Sequence, residues 1–348
     1  MALEGVFEDS GAAFTDRADG RLSLRLSLRP ERILVAGGTG FVGSHVVPLL
    51  RTAAALTPQG PAIRLLTHRR PAPGRGPGDL ETVHGDLADP GTLHGVCEGV
   101  TTVLHLAARI GGSEADCRAV NHEGTRALLA EARRAGVRRF VQLGTAAVYG
   151  DGPHRGEPEG RLPETPVSAT SVTRLAGERL VLAAGGTVLR PYLVYGEGDT
   201  WFVPALLRLL RRLPHWVDDG AARLSLISAS SLAAVLTELA LSPHPPAGRV
   251  LHAAHPEPVS ARDLVSTVCR SLDLPLPEGT LTREEALSHL DTADDLLYRR
   301  HLSLIALDRW YATDRLWSQL STPPVRSFTT DFARYAPWYR EALAESPV

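Results

Sequence analysis

The chain has 348 residues, 43% hydrophobic and 22% charged, with 32 glycines and 26 prolines, which excludes a collagen-like or broadly disordered polymer and suggests about two packed domains. Formal charge nearly cancels at −2, so the footprint of a nucleic-acid binder or a polybasic membrane binder is missing and the expected partners are small molecules. All 37 basic residues are arginine, which excludes any mechanism that requires a lysine.

Residues 1–30 form an extension in which 22–28 alternates Leu with Ser or Arg, a weak strand signal. Acidic residues at Glu4, Glu8, Asp9 and Asp16 argue against a secretory signal, and glycines interrupt 33–50 too often for a membrane span. From 31 onward short apolar runs alternate with helical patterns. Strands are expected at 33–36, 63–66, 82–84, 102–106, 140–143 and 187–189, and helices around 46–50, 93–97, 121–135 and 172–184. This alternation predicts an α/β fold, a Rossmann-like doubly wound parallel sheet. After Tyr195 the pattern loosens to helices at 201–213 and 232–241, a strand at 224–228, and helices at 261–272, 283–290 and 332–343. The expected division is a dinucleotide-binding domain at 31–190 plus about 224–254, and a smaller, mostly helical substrate domain at about 191–223 plus 255–348. A possible lid lies near 290–312, and 71–78 is a Pro/Gly-rich loop. Cys97, Cys117 and Cys269 are odd in number and far apart, giving neither a disulfide framework nor a zinc pattern, so a reducing cytoplasmic setting is expected.

At 33–43 a strand turns into a helix through Gly37, Gly38, Thr39, Gly40, Phe41, Val42 and Gly43. A tight turn, a close backbone approach to a pyrophosphate and close helix packing each exclude a side chain, and the helix N-terminus favours negative charge. An NAD-selective site usually ends the second strand with a carboxylate. Here Thr67 fills that slot, followed by His68, Arg69 and Arg70, whose guanidinium groups suit a 2′-phosphate; NADP(H) is the expected cofactor, with NAD(H) possible.

Several segments in order, Gly37 to Gly43, Gly85-Asp86-Leu87, Leu104-His105-Leu106-Ala107-Ala108, Asn121 with Gly124-Thr125, Val148-Tyr149-Gly150, and Arg190-Pro191 with Tyr195-Gly196, resemble the extended short-chain dehydrogenase/reductase family, which includes sugar-nucleotide epimerases and dehydratases. The resemblance runs from about Glu31 onward. It implies adenine contacts for Asp86 and Leu87, ribose and pyrophosphate contacts near Leu106, Ala107 and Ala108, and a nicotinamide neighbourhood for Pro191, Leu193 and Val194. His105, Tyr149 and Arg190 are read as structural.

The same resemblance exposes a break. The family's proton-transfer set is a Ser or Thr, a Tyr, and a Lys four residues after it. Thr145 fills the hydroxyl slot, but 166–174 puts Thr170 and Arg174 where the Tyr and Lys belong. An aliphatic hydroxyl has no accessible pKa and arginine stays charged, so the usual dyad is lost; Arg174 retains the option of holding the nicotinamide ribose. At 227–232 serines stand where the family often has His and two Asp, which suits a helix cap equally well.

Oxidising an unactivated alcohol needs a base, whereas reducing a ketone needs hydride delivery, oxyanion stabilisation and a proton that water or a neighbouring substrate phenol can give. The chain resembles atypical antibiotic-pathway ketoreductases of that family, and this resemblance implies NAD(P)H-dependent reduction of a ring carbonyl of a polycyclic aromatic polyketide. The alternative is a dinucleotide-binding regulator that has lost catalysis. Aromatic residues in 296–311 and the five tryptophans offer surface for a bulky substrate, or simply core.

Overall fold

In β1, Arg32–Ala36, Ile33 and Val35 enter one core while Leu34 and Ala36 enter another, all fully buried, because successive side chains of a strand leave opposite faces of its sheet. The structure is a computed structural model describing residues 31–56, 60–69, 80–242, 247–290, 292, 295–321 and 326–345. The strand signal at 22–28, Arg70 and the loop at 71–78 lie outside the described residues.

Six strands join β1: β2 (Ala62–Thr67), β3 (Leu80–His84), β4 (Thr102–His105), β5 (Arg139–Leu143), β6 (Thr187–Arg190) and β7 (Val250–His252). Every pairing is parallel, in the order β3-β2-β1-β4-β5-β6-β7. The order reverses between β1 and β4, which opens a crevice at their carboxyl ends. Helices Phe41–Ala55 and Ala229–Leu241 cover one face through Val46, Leu50, Leu232 and Leu236. Helices Thr125–Arg134 and Ala169–Ala183 cover the other through Leu128, Ala132 and Val181. Each such fully buried Leu or Val contributes about 1.5–3 kcal/mol.

A third core joins helices Phe202–Arg212, Ala261–Ser271 and Leu296–Ile305 to the aromatic residues Phe328, Phe332, Tyr335 and Tyr339. This part is mostly helical, as its pattern suggests, and also carries short strands. A four-stranded sheet runs through it in the order Val259–Ser260, Arg223–Leu224, Arg309–Tyr311, His154–Glu157, and Leu193–Tyr195 pairs in parallel with Leu226–Ser228.

Two local expectations need correction, those at 93–97 and at 224–228. The helix at 93–97 is a 3₁₀ turn, Pro90–Leu93, followed by further turns, since Gly95 and Gly99 adopt φ of +82° and +69°. The strand at 224–228 is two strands belonging to different sheets. The helix at 121–135 opens with a π turn, Ala119–Gly124, and becomes α-helical at Thr125. In the lid candidate, Leu296–Ile305 packs into the third core through Leu302 and Ile305 while Arg309–Tyr311 is an interior strand, so the described segment is built into the fold. All three cysteines are buried and free, and among the described residues no helix is long and apolar enough to cross a membrane.

Candidate active site

Gly37 has φ +88°, and a Cβ there would stand 2.5 Å from the Ala107 nitrogen; one on Gly43 would run into the Gly37 carbonyl. Side chains are excluded because β1, the β4 exit and the following helix converge here. Gly40 caps helix Phe41–Ala55 without a side-chain hydrogen bond, and no acid stands in the first turn, so the first N–H groups face outward as an anion cradle. These features fit a dinucleotide pyrophosphate. Val42 packs toward the sheet core, and Phe41 turns toward Gly198, where a Cβ would come within 3.2 Å of its ring.

Over this turn opens a cleft of about 440 Å³, the size of a small-molecule site. It gathers Gly37, Thr39, His68, Arg69, Asp86, Leu87, Ala107 and Ala108 from the ends of β1 to β4. Ala36 and Gly85, already part of the sequence motifs, also line it, as do Leu66, Ala88, Arg109, Asp116, Ala119 and Val120, which were not named as site residues from the sequence, although Arg109 directly follows Ala107-Ala108. His68 Nε2 lies 3.1 Å from Asp86 Oδ2, and Thr67 donates its hydroxyl to Val83 O, so β2 ends without a carboxylate of its own but close to one from the β3 exit. Leu106 and Leu193 do not line this cleft: both side chains enter cores, and Val194 pairs with Ile227. Pro191 accepts the Ala146 N–H at 2.9 Å.

Thr145 sits at the exit of β5 and caps the 3₁₀ turn Ala146–Tyr149. Its hydroxyl accepts the Ala147 N–H at 3.2 Å, leaving its own hydrogen to donate. Helix Ala169–Ala183 lies alongside, capped by Ser168. Its Thr170 hydroxyl accepts the Gly111 N–H at 3.1 Å, and Arg174 Nη2 donates to Leu143 O at 2.9 Å and Gly144 O at 2.6 Å. Both slots of the lost dyad are therefore engaged with backbone.

Deeper in, Glu178 accepts from Thr145 N–H at 3.1 Å and from Arg190 Nε at 2.8 Å, and Arg190 also bonds Glu164. The Arg190 guanidinium lies 5.0 Å over the Tyr149 ring, and the Tyr149 hydroxyl meets His252 Nε2 at 2.7 Å. Burial, assisted by the Arg174 charge, holds His105 at about 4; its Nε2 faces Thr125 Oγ1, a structural contact. Ser228 caps helix Ala229–Leu241 by accepting from the Ser231 N–H, so the 227–232 serines do cap a helix. Glu178 and His252 were not singled out in the sequence; an acid at i+4 from Arg174 was the available signal for the first, and nothing local marked the second.

Residues 33–245 match the sequence model described as "NAD dependent epimerase/dehydratase family". The chain is 31% identical over 275 residues to the 2-alkyl-3-oxoalkanoate reductase of Stenotrophomonas maltophilia, covering 73% of this chain and 80% of that protein. It is 28% identical over 267 residues to the 4-hydroxy-2-methyl-3-oxo-4-farnesyl-3,4-dihydroquinoline-1-oxide ketoreductase of Stigmatella aurantiaca, covering 73% and 77%. Among solved structures, MoeE5 in complex with UDP-glucuronic acid and NAD superposes with a TM-score of 0.68 at 27% identity, covering 90% of this chain and all of that one.

Proposed function

The chain belongs to the NAD dependent epimerase/dehydratase family, and from that premise we propose that it is a ketoreductase that prefers NADP(H) over NAD(H) and reduces a ring carbonyl of a polycyclic aromatic polyketide, at C7 of an angucyclinone. The observation that carries this reading is the engagement of Thr170 and Arg174 with backbone. With those groups so held, the helix offers no base to take a proton from an unactivated alcohol, so the oxidising half of epimerase chemistry is disfavoured.

Reduction asks less of the protein. A bound nicotinamide dinucleotide supplies the hydride. The glycine cradle and the Ala107–Ala108 exit hold the dinucleotide, and the Thr145 O–H donates to the substrate carbonyl oxygen as charge develops on it. The proton comes from water or from a phenol beside the ketone. Arg69 in the cleft, with Thr67 in place of an acid at the end of β2, supports the 2′-phosphate preference. The names of the two curated relatives, both reductases of 3-oxo compounds, support the reductive direction.

The test follows NADPH absorbance with purified protein and polycyclic aromatic ketones, with and without a neighbouring phenol. Turnover confined to phenol-bearing ketones is the expected result. NADPH binding without turnover across the panel would overturn the proposal in favour of a non-catalytic regulator.

A further inference from the structure

Helix Ala169–Ala183 turns Thr170, Thr173, Arg174, Gly177 and Glu178 inward, spacings of three and four that share one helical face. Each meets one of two segments bordering the candidate site. Thr170 takes the Gly111 N–H, and Thr173 accepts from Asn121 Nδ2, whose amide also brackets both backbone groups of Arg109. Arg174 and Glu178 hold backbone groups of three consecutive residues at the end of β5: the carbonyls of Leu143 and Gly144, and the N–H of Thr145.

We propose that Arg174 and Glu178 are positioning residues, a backbone clamp that fixes the exit of β5 so that the Thr145 hydroxyl faces the reacting carbonyl. The inference rests on the reductase reading given above. Chemistry favours a clamp: one guanidinium nitrogen carries two N–H donors and satisfies two carbonyls from a fixed plane, which a single-point ammonium does not reproduce. Glu178 is fully buried and fixed from behind by Arg190, so its grip on Thr145 is stiff. Gly144 belongs to the same device, because a Cβ there would collide with the Glu178 carboxylate.

The experiment compares Arg174→Met, Arg174→Lys, Thr145→Val and the double variant Arg174→Met/Thr145→Val in full-length protein. It reads NADPH affinity, kcat on an accepted ketone, and hydrogen exchange of the peptide spanning 140–149. Arg174→Met is expected to leave the NADPH dissociation constant within about 3-fold, lower kcat about 10-fold, and speed exchange at 143–146. Arg174→Lys restores part of both losses. In the Thr145→Val background Arg174→Met lowers kcat by less than about 2-fold more, since the clamp acts through Thr145. A 10-fold or larger rise in the NADPH dissociation constant with unchanged exchange would overturn the proposal by assigning Arg174 to the cofactor, and so would full multiplication of the two losses in kcat. If no ketone is reduced, the reductase reading fails by itself, and exchange decides the clamp: faster exchange at 143–146 with unaltered NADPH affinity upholds it, unaltered exchange overturns it. Should Arg174→Met not fold, Arg174→Lys carries the same readouts at smaller amplitude, and unaltered exchange there also overturns the clamp.

Discussion

The Tyr149 hydroxyl and His252 Nε2 meet at 2.7 Å although 103 residues separate them, joining the exit of β5 to the end of β7. His252 Nδ1 faces Ala312 O at 3.1 Å, so the neutral ring donates from Nδ1 and accepts the phenol at Nε2. Burial holds its pKa at about 4, against the nearby Glu159 carboxylate that pulls it upward.

Stability should therefore fall in acid. Burial also holds His105 and His301 at about 4, while unfolded histidines titrate near about 6.5. These folded values are depressed, so between the two the unfolded chain binds more protons; the stabilisation is complete above the unfolded value and is lost as pH drops toward 4. Urea midpoints measured from pH 7.5 to 4.5 should decline below about pH 6.5, and less steeply in His252→Gln. A midpoint independent of pH across that window would contradict buried neutral histidines.

Gly37→Ala should abolish measurable NADPH binding. The position combines φ +88° with backbone 2.5 Å from any added Cβ, so the turn must open. Gly160→Ala is the matched control: its φ is +82° with nothing within 4 Å, so it carries only conformational strain, on the order of 1 kcal/mol. Fluorescence titration and thermal melts on both variants separate the cradle from generic strain.

Arg190→Met should destabilise by about 3–5 kcal/mol, because it strands the Glu178 carboxylate in a site that excludes water. The double replacement Arg190→Met/Glu178→Leu should be less unstable than Arg190→Met alone. Urea unfolding of the set measures this; a double variant as unstable as the sum of its parts would mean the pair is not coupled.

Replacing Arg69 and Arg70 together by Ala should raise the NADPH dissociation constant about 10-fold or more and the NADH constant by less than about 3-fold, the loss of a charge-assisted phosphate contact. Equal weakening of both cofactors would remove the 2′-phosphate role.

The nucleotide half was legible because its physics is local. A short apolar run, glycines where backbones touch, and alternating periods sufficed to place the turn and six of the seven strands of the parallel sheet, β7 excepted, while Asp86, Leu87, Ala107 and Ala108 in the cleft were named from the family resemblance. Legibility failed where side chains answer to distant backbone. Arg174 reads as a vacated lysine slot until Leu143 and Gly144 are folded against it, and His252 gains meaning only from Tyr149 and Ala312. Leu193 sits near Pro191 in its motif, while its side chain packs in the third core. The helix at 93–97 failed because buried Leu93, Val96 and Cys97 mimic a helical stripe that Gly95 breaks.

Tyr339 accepts the Gly196 N–H and donates to Asp199, whose carboxylate caps helix Phe202–Arg212. The third core is thus closed by residues synthesised well over a hundred positions after the strand they seal. On the ribosome the sheet strands up to β6 emerge first, while the lobe above them waits for the tail before its core can close. A chain interrupted before Phe328 would leave Tyr195 without the aromatic cover of Phe328, Phe332 and Tyr335, and quality control would meet it as exposed apolar surface.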